Sequence, residues 1–267
     1  MLRALTLTEH ESCPPDTSAT LPDRLHRVLA RSAASGCPDR ANVAGSGISW
    51  RCGWPSLLGS DMVTCPAGGG NVDAVSFAAL PRQAAWQHRG ARAGFEVVFF
   101  DERDGGCLIH GCTAAIEDGT PWTVEYAIEL DSAGATRSAR ISGRSAAGPR
   151  SALLEADGAG RWLVNGQAAP LLDGCLDVDL ESSAMTNALP VRRLALAVAA
   201  EASAPAAYVR AADLAVDRLE QSYLRTPGHG AGECYDYAAP AFDFGCRLTY
   251  DQSGLVLDYP GIATRAG

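Results

Sequence analysis

Hydrophobic and polar residues alternate with a period of two along most of the chain after residue 75. The clearest run extends from Trp122 to Asp131, and its apolar side chains share one face: Trp122, Val124, Tyr126, Ile128 and Leu130. Because successive side chains of a strand point to opposite faces of a sheet, this run predicts a half-buried strand. Similar runs are separated by turn pairs such as Asp118–Gly119, Asp157–Gly158 and Asn165–Gly166. The pattern predicts an all-β fold with few short helices.

Residues 1–74 lack this alternation and are rich in Ser, Pro, Gly, Cys and Arg. The best candidate for order there is an apolar stripe at helical spacing between Leu21 and Ala33, and so short a helix is marginal by itself. We therefore expect two regions. Residues 1–74 form an extension that is disordered, or that was assigned from a start codon too far upstream, and residues 75–267 form the β domain.

Composition excludes several classes of protein. The net charge is −9, whereas a nucleic-acid-binding surface needs a basic stripe. No apolar run reaches the length of a membrane span, and no basic and apolar leader opens the chain. The nine cysteines are odd in number and scattered, which indicates reduced thiols. We expect a cytoplasmic protein with neither a nucleic-acid partner nor a transmembrane segment.

The segment Leu172–Leu194 holds most of the candidate chemistry. Asp177, Asp179 and Glu181 alternate with apolar residues, so the three carboxylates are predicted on one face of a strand. Neighbouring carboxylates on that face would repel one another at roughly 6–7 Å. The nearest compensating cations are Arg192 and Arg193, placed on a second predicted strand. As strand neighbours these arginines would face opposite sides, so only one could pair with the acidic face.

Three interpretations of this segment stay open. In a binding site, the carboxylates accept hydrogen bonds from sugar hydroxyls, and Arg192 and Arg193 bind a phosphate or carboxylate head group. In a structural ladder, the same groups form ion pairs between strands. In a hydrolase, Asp177, Asp179 or Glu181 act as acid and base, although glycosidases usually draw these from opposite sides of a cleft.

Four other residues are candidates for the same site. Trp122 and Tyr126 could stack on sugar rings or line an acyl pocket, or could be ordinary core residues. Arg137 has the parity of Ala139 and Ile141, and a charge on an apolar face must be paired or lie at a cavity. Asn187 follows Thr186 in a predicted turn, where its side chain can hydrogen-bond backbone groups.

Metal and nucleophile chemistry are not indicated. Cys107, His110 and Cys112 have a C-x-x-H-x-C spacing, but on a strand Cys107 faces away from the other two, so no metal site is predicted. The chain has no G-x-S-x-G elbow. We expect no catalytic residues, no metal and no cofactor.

Several segments together resemble a known family. PWTVEYAIELD, LDGCLDVDLESS, TNALPVRRL and GLVLDYPG occur in this order between Pro121 and Gly261. With these motifs the chain after Phe77 resembles the family of bacterial proteins described as putative glycolipid-binding. The resemblance implies a large curled antiparallel sheet, a spiral β-roll or open barrel similar to lipoprotein carriers, with an apolar cavity for a lipid tail. One departure is Ser132–Ala133–Gly134–Ala135, where the family would have an aromatic residue.

We therefore expect non-catalytic binding of an amphipathic small molecule, a glycolipid or another lipid with a polar head, in the cavity of the sheet. The ligand-binding candidates are Trp122, Tyr126, Arg137, Asp177, Asp179, Glu181, Asn187, Arg192 and Arg193. A hydrolase of a sugar or glycolipid and an interaction scaffold without a cavity are the alternatives. The sequence leaves the ligand's identity and the oligomeric state open.

Overall fold

The computed structural model describes residues 76–228 and 232–267. Within these ranges the chain is mainly β, as the alternation predicts. The expectation of a separate extension falls on residues 1–74, which lie outside the described residues.

One antiparallel sheet of 14 strands forms the body of the protein. Its first eight strands follow chain order: β1 (Gln83–His88), β2 (Ala93–Arg103), β3 (Gly106–Glu117), β4 (Thr120–Asp131), β5 (Thr136–Ser145), β6 (Gly148–Ala156), β7 (Trp162–Val164) and β8 (Gln167–Ala168). Six strands from the second half of the chain complete it: β10 (Glu201–Ser203), β13 (Ser222–Thr226), β14 (Glu233–Ala239), β15 (Phe244–Tyr250), β16 (Val256–Tyr259) and β17 (Ala263–Arg265). The two sets join where β17 pairs with β1.

Short hairpins with the predicted turn residues set the register of β3 to β8. Asp118 and Gly119 both have positive φ (47° and 76°), as do Asn165 and Gly166 (51° and 76°). Two successive residues with positive φ match the right-handed twist of the flanking strands, and Asx–Gly pairs adopt that conformation readily. The predicted hairpin turns at these positions are confirmed.

A smaller set of elements is enclosed by the curled sheet, and we call it the inner layer. It consists of β9 (Asp177–Leu180), β11 (Ala206–Val209), β12 (Val216–Leu219), a 3-10 turn at Met185–Asn187 and α1 (Ala188–Leu194). All residues of β9 and β11 are buried. Both faces of these strands are therefore covered, and β11 pairs in parallel with β9.

The inner layer fills most of the hollow that the sequence predicts. Its side chains Val178, Leu180 and Met185 belong to one apolar cluster with Trp86, Ile109 and other inward residues of the large sheet. Burial of such side chains is the main favourable term in folding. The all-β curled sheet is confirmed, and its interior is packed with the protein's own chain around a cavity of about 200 Å³.

The second strand predicted for Arg192 and Arg193 is wrong, because these residues lie in the last turn of α1. Pro190 is the third residue of this helix, where its missing N–H has no intrahelical partner to lose. Seven residues are too few for a stable isolated helix. Burial of Ala188, Leu189, Pro190 and Val191 in the inner layer stabilises it instead.

Candidate ligand-binding site

The three carboxylates of the acidic strand are held inside the protein, each by a different partner. The Arg193 guanidinium donates to Asp177, from Nε to Oδ1 at 3.0 Å and from Nη2 to Oδ2 at 2.5 Å. Thr186 Oγ1 donates to Asp179 Oδ1 at 3.0 Å. Arg92 Nη2 lies 3.6 Å from Glu181 Oε1. Asp177 and Asp179 therefore lie buried in the inner layer and not at an open mouth.

Burial governs the protonation of two of these groups. Desolvation raises the pKa of Asp177, while the hydrogen bonds and charge of Arg193 lower it. The pKa of Asp179 is raised from an ordinary value of 3.8 to about 6, mainly by desolvation and to a smaller extent by the neighbouring charges of Asp177 and Glu181. The hydrogen bond from the Thr186 hydroxyl lowers the pKa of Asp179. Asp179 is therefore a carboxyl whose charge the protein disfavours.

A third buried carboxylate, Glu96, connects the sheet to the inner layer. It accepts hydrogen bonds from Tyr126 Oη at 2.6 Å, from Ser183 Oγ and from the Ala184 N–H at 2.8 Å. Desolvation raises the pKa of Glu96, and these hydrogen bonds lower it. Tyr126 can reach Glu96 because its ring lies over Gly111: a Cβ there would be 2.1 Å from Tyr126 Cζ.

Asn187 belongs to a tyrosine cluster in the second half of the sheet. Its Oδ1 accepts a hydrogen bond from Tyr223 Oη at 2.9 Å, and its backbone carbonyl accepts one from Tyr250 Oη at 3.3 Å. Gln221 Oε1 accepts from Tyr237 Oη at 3.0 Å. These contacts satisfy buried polar atoms, which would otherwise be costly to desolvate. They fix the 3-10 turn before α1 against β13 to β15.

One pocket combines an apolar lining with charged groups, and it lies where α1 meets the ends of β2 to β4. Its cavity volume is about 200 Å³. The apolar lining residues are Leu80, Phe100, Ile109, Leu130, Met185, Ala188, Leu189 and Leu255. The rest of the lining comes from Ser132–Ala133–Gly134, Arg192 and Arg193. We call Arg192 and Arg193 the rim arginines.

The loop at the pocket is the one that departs from the expected family pattern. Asp131 Oδ1 accepts hydrogen bonds from the Ala133 N–H at 3.0 Å and the Ala135 N–H at 2.9 Å, and Gly134 has φ +81°. The side chains of this loop are small.

The two rim arginines differ in how their charge is balanced. Arg193 is bound to Asp177, whereas Arg192 Nη1 donates to the backbone carbonyls of Ser253 and Ala78. Among the described residues, no carboxylate lies within 4.0 Å of the Arg192 guanidinium. Its Nε and Nη2, and Nη1 of Arg193, have no hydrogen-bond partner within residues 76–228 and 232–267. These N–H groups can donate to a ligand.

The other candidates from the sequence do not line this pocket. Trp122 is buried beneath the Arg92 guanidinium, which lies 5.3 Å from its ring centroid, and Tyr126 is bound to Glu96. Arg137 is exposed and 4.0 Å from Asp131 Oδ2, so its predicted inward direction is wrong. The reason is a β-bulge: Glu129 pairs with Ser138 but Leu130 pairs with Thr136, which leaves Arg137 as the extra residue.

Sequence reasoning missed Glu96 and Arg92 as partners of the acidic segment. Glu96 has the parity of Val98 and Phe100, so the signal was a charge on the apolar face of β2. Arg92 precedes that strand and donates from Nη1 to the Glu181 carbonyl oxygen at 2.7 Å, 89 residues away. No local pattern predicts such a pair.

Metal-binding clusters and membrane-spanning helices are both absent from residues 76–228 and 232–267. Nothing in the described ranges groups three or more His, Cys, Asp or Glu side chains in a way that could bind a metal. Over those residues no helix has the length and hydropathy needed to cross a bilayer.

The chain matches one family model and is similar to two proteins of known structure. A family model described as "Putative glycolipid-binding" matches residues 83–265. The chain is 31% identical to a DUF1089 family protein of Pseudomonas aeruginosa of known crystal structure, over 64% of this chain and 92% of that one, with a TM-score of 0.54. A β-barrel-like DUF1849 protein of Brucella abortus aligns over 71% of this chain and 96% of that one, at 10% identity and a TM-score of 0.45. No functionally curated protein matches.

Proposed function

Because the chain belongs to the family described as putative glycolipid-binding, we propose that it binds the apolar part of an amphipathic small molecule in the pocket between α1 and β2 to β4. The observation that carries the proposal is the composition of that pocket. Aliphatic and aromatic side chains form its walls, and the two rim arginines stand beside them. Binding sites for small molecules commonly combine apolar walls with a few convergent polar groups.

Burial of hydrocarbon would supply the affinity. Each methylene moved from water into the pocket contributes about 0.8 kcal/mol. The rim arginines would orient the polar end through charge-assisted hydrogen bonds. No proton transfer or covalent step is needed, so the proposal is a binding function. A cytoplasmic location is part of it, since the five cysteines of the described residues carry free thiols.

A bulky side chain at the pocket mouth tests the proposal. Ala133 is exposed in the loop that lines the pocket, so Ala133→Trp should fold normally and cover the entrance. Ala146 is exposed in the β5–β6 turn, and Ala146→Trp is the matched control. Full-length protein would be purified without detergent and measured by native mass spectrometry. An organic extract of the same protein would be examined by lipid analysis.

We expect a copurifying amphiphile in the unchanged protein and in Ala146→Trp, and its loss in Ala133→Trp. An amphiphile retained equally in all three proteins would contradict this site. If none is found, binding of added octanoate and 1-octanol by calorimetry decides, and no binding of either would refute the function.

The alternatives give other results. A hydrolase using the acidic strand would release nitrophenol from nitrophenyl glycosides and lose that activity in Asp179→Asn. The engagement of Asp177, Asp179 and Glu181 with separate buried partners does not favour it. A scaffold would bind no amphiphile and would use an outer surface. One such surface is the groove over β2 to β5, where Phe99 is 49% exposed.

A further inference from the structure

We propose that the ligand is a single-chain amphiphile with an oxyanion head, a carboxylate or phosphate monoester, and an alkyl tail of about seven carbons in the pocket. This inference rests on the proposed function and specifies the ligand class for the same site. Two independent features support it: the limited room inside the sheet, and the unbalanced charge of Arg192.

The inner layer sets the length of the tail. The cavity of about 200 Å³ lies below the roughly 300–1,000 Å³ usual for drug-sized ligands. At about 30 Å³ for each group the size of a water molecule, it has room for roughly seven such groups. The remaining interior is occupied by β9, the 3-10 turn and α1. The two long chains of a membrane glycolipid therefore cannot be enclosed in this arrangement.

The walls favour one chain over a flat ring system. Leu189 and Met185 of the inner layer line the pocket together with Phe100 and Ile109 of the sheet. Within the described residues, the polar side chains of the lining are Ser132 and the rim arginines. A sugar inserted there would leave most of its hydroxyls without partners, and each unpaired buried hydroxyl is unfavourable. The hydrocarbon end must enter first.

Arg192 sets the charge of the head. Asp177 neutralises Arg193, whereas the Arg192 guanidinium donates to two backbone carbonyls and lies 5.8 Å from the Phe77 ring centroid, with no carboxylate within 4.0 Å among the described residues. Glu102 and Asp251 act on it as more distant charges, and Asp251 already accepts hydrogen bonds from Ser253 and Arg265. The rim therefore keeps a positive charge although the whole chain carries −9. A guanidinium with free Nε and Nη2 donors suits a carboxylate or phosphate oxygen pair.

A ligand series tests both features on the full-length protein by isothermal titration calorimetry. The tail series is butanoate, hexanoate, octanoate, decanoate and dodecanoate. The head series at constant carbon number is octanoate, octyl phosphate, 1-octanol and octylammonium, with inorganic phosphate as the tail-free arm. Each methylene should tighten binding about fourfold until the pocket is full near octanoate, after which affinity should level off.

The head series should favour anions. Octanoate and octyl phosphate should bind roughly 10- to 100-fold more tightly than 1-octanol, and octylammonium most weakly. Inorganic phosphate alone should bind far more weakly than octyl phosphate. Equal binding of octanoate and 1-octanol would refute the oxyanion head, and a fourfold gain persisting through dodecanoate would refute the short tail. Equal binding of inorganic phosphate and octyl phosphate would overturn the whole inference.

Arg192→Gln supplies a test within the protein. It should remove most of the preference for octanoate over 1-octanol. Arg150→Gln, at an exposed position of β6 outside the pocket, is the charge-matched control. Because Arg192 also binds Ser253 and Ala78, a folding defect is a separate outcome.

If Arg192→Gln does not fold, the salt dependence of ligand binding to the unchanged protein tests the role of Arg192 instead. Between about 0.01 M and about 1 M salt, screening should weaken octanoate binding while sparing 1-octanol. A salt response shared by both ligands would refute the role of Arg192. If no member of either series binds, the proposed function itself fails; if 1-octanol binds as well as octanoate, only the ligand class does.

Discussion

Replacement of Asp179 by asparagine should stabilise the protein at neutral pH. Asp179 is buried in the inner layer, where desolvation raises its pKa from 3.8 to about 6. Its ionised form therefore lowers the stability of the folded state at pH 7. Asparagine has the same shape and no charge, and its carbonyl oxygen can still accept the hydrogen bond from Thr186 Oγ1. The substitution removes the unfavourable charge and keeps that contact.

The magnitude follows from the linkage between protonation and folding. A raised folded-state pKa means that the folded protein binds more protons than the unfolded chain between about pH 4 and pH 6. Stability therefore falls as pH rises through this window. The full penalty above pH 6 is about 3 kcal/mol, from about two pKa units at 1.36 kcal/mol each. Asp179→Asn should raise the free energy of unfolding by up to about 3 kcal/mol at pH 8 and by almost nothing at pH 4.

His88 makes the pH profile of the substitution more informative. It is buried, and among the described residues neither ring nitrogen has a hydrogen-bond partner. Burial, with a smaller effect of Arg92, lowers the pKa of His88 from 6.5 to about 4. The unfolded chain binds more protons in this case, so the His88 contribution makes stability rise from pH 4 to pH 6.5. Asp179 and His88 oppose each other in the natural sequence, and Asp179→Asn should expose the His88 slope.

Urea unfolding followed by tryptophan fluorescence at pH 4, 5, 6, 7 and 8 measures the effect. Other shifted groups, such as Glu96, are common to both proteins and cancel in the difference. Asp104→Asn, at an exposed turn position, is the control and should change stability by less than about 0.5 kcal/mol. A loss of stability at pH 8 in Asp179→Asn would refute the reasoning, because the charged carboxylate would then have favourable partners. A gain that is equal at pH 4 and pH 8 would refute the assigned cause.

Two further substitutions test the contacts that hold the inner layer, both by urea unfolding at pH 7. Gly111→Ala should destabilise the protein by about 3 kcal/mol, because the new Cβ displaces the Tyr126 ring and breaks its hydrogen bond to Glu96. Gly143→Ala, where a Cβ meets only the Leu214 side chain from 3.4 Å, should change stability by less than about 1 kcal/mol, and equal losses would contradict the explanation. Arg193→Gln should cost about 3–5 kcal/mol by leaving Asp177 buried without its cation, and adding Asp177→Asn should restore most of that loss. An additive double variant would show that the ion pair is not the cause.

Local pattern was sufficient to predict most of the large sheet. In Trp122–Asp131 every second residue faces inward, and Asp118–Gly119 supplies two positive φ angles for the preceding turn. The alternation and the turn pair each span only a few residues, so both can be recognised without any knowledge of tertiary contacts. Arg137 shows the limit of the same rule. Its apparent parity with Ile141 was broken by one bulge, and a bulge shifts side-chain direction without leaving a mark in the alternation.

The candidate site depended on contacts that the sequence does not encode locally. One rim arginine was expected to pair with the acidic strand, and Arg193 does pair with Asp177, but from a helix rather than a strand. Seven residues give less than two full helical turns, too little for a periodic signal. The pocket itself depends on how much of the interior the inner layer fills. That is a property of packed volumes, and a one-dimensional pattern carries no information about it.

The pairing of β17 with β1 has a consequence for synthesis of the chain. His88 is opposite Ala263, so one edge of β1 stays unpaired until β17, near the end of the chain, has been synthesised. Until then, a growing chain on the ribosome presents the Gln83–His88 edge to any other extended segment nearby. Such distant partners also make closure slow. A nascent chain that stops before residue 263 would expose the unpaired edge of β1. Chaperones and proteases would therefore encounter it as an aggregation-prone intermediate.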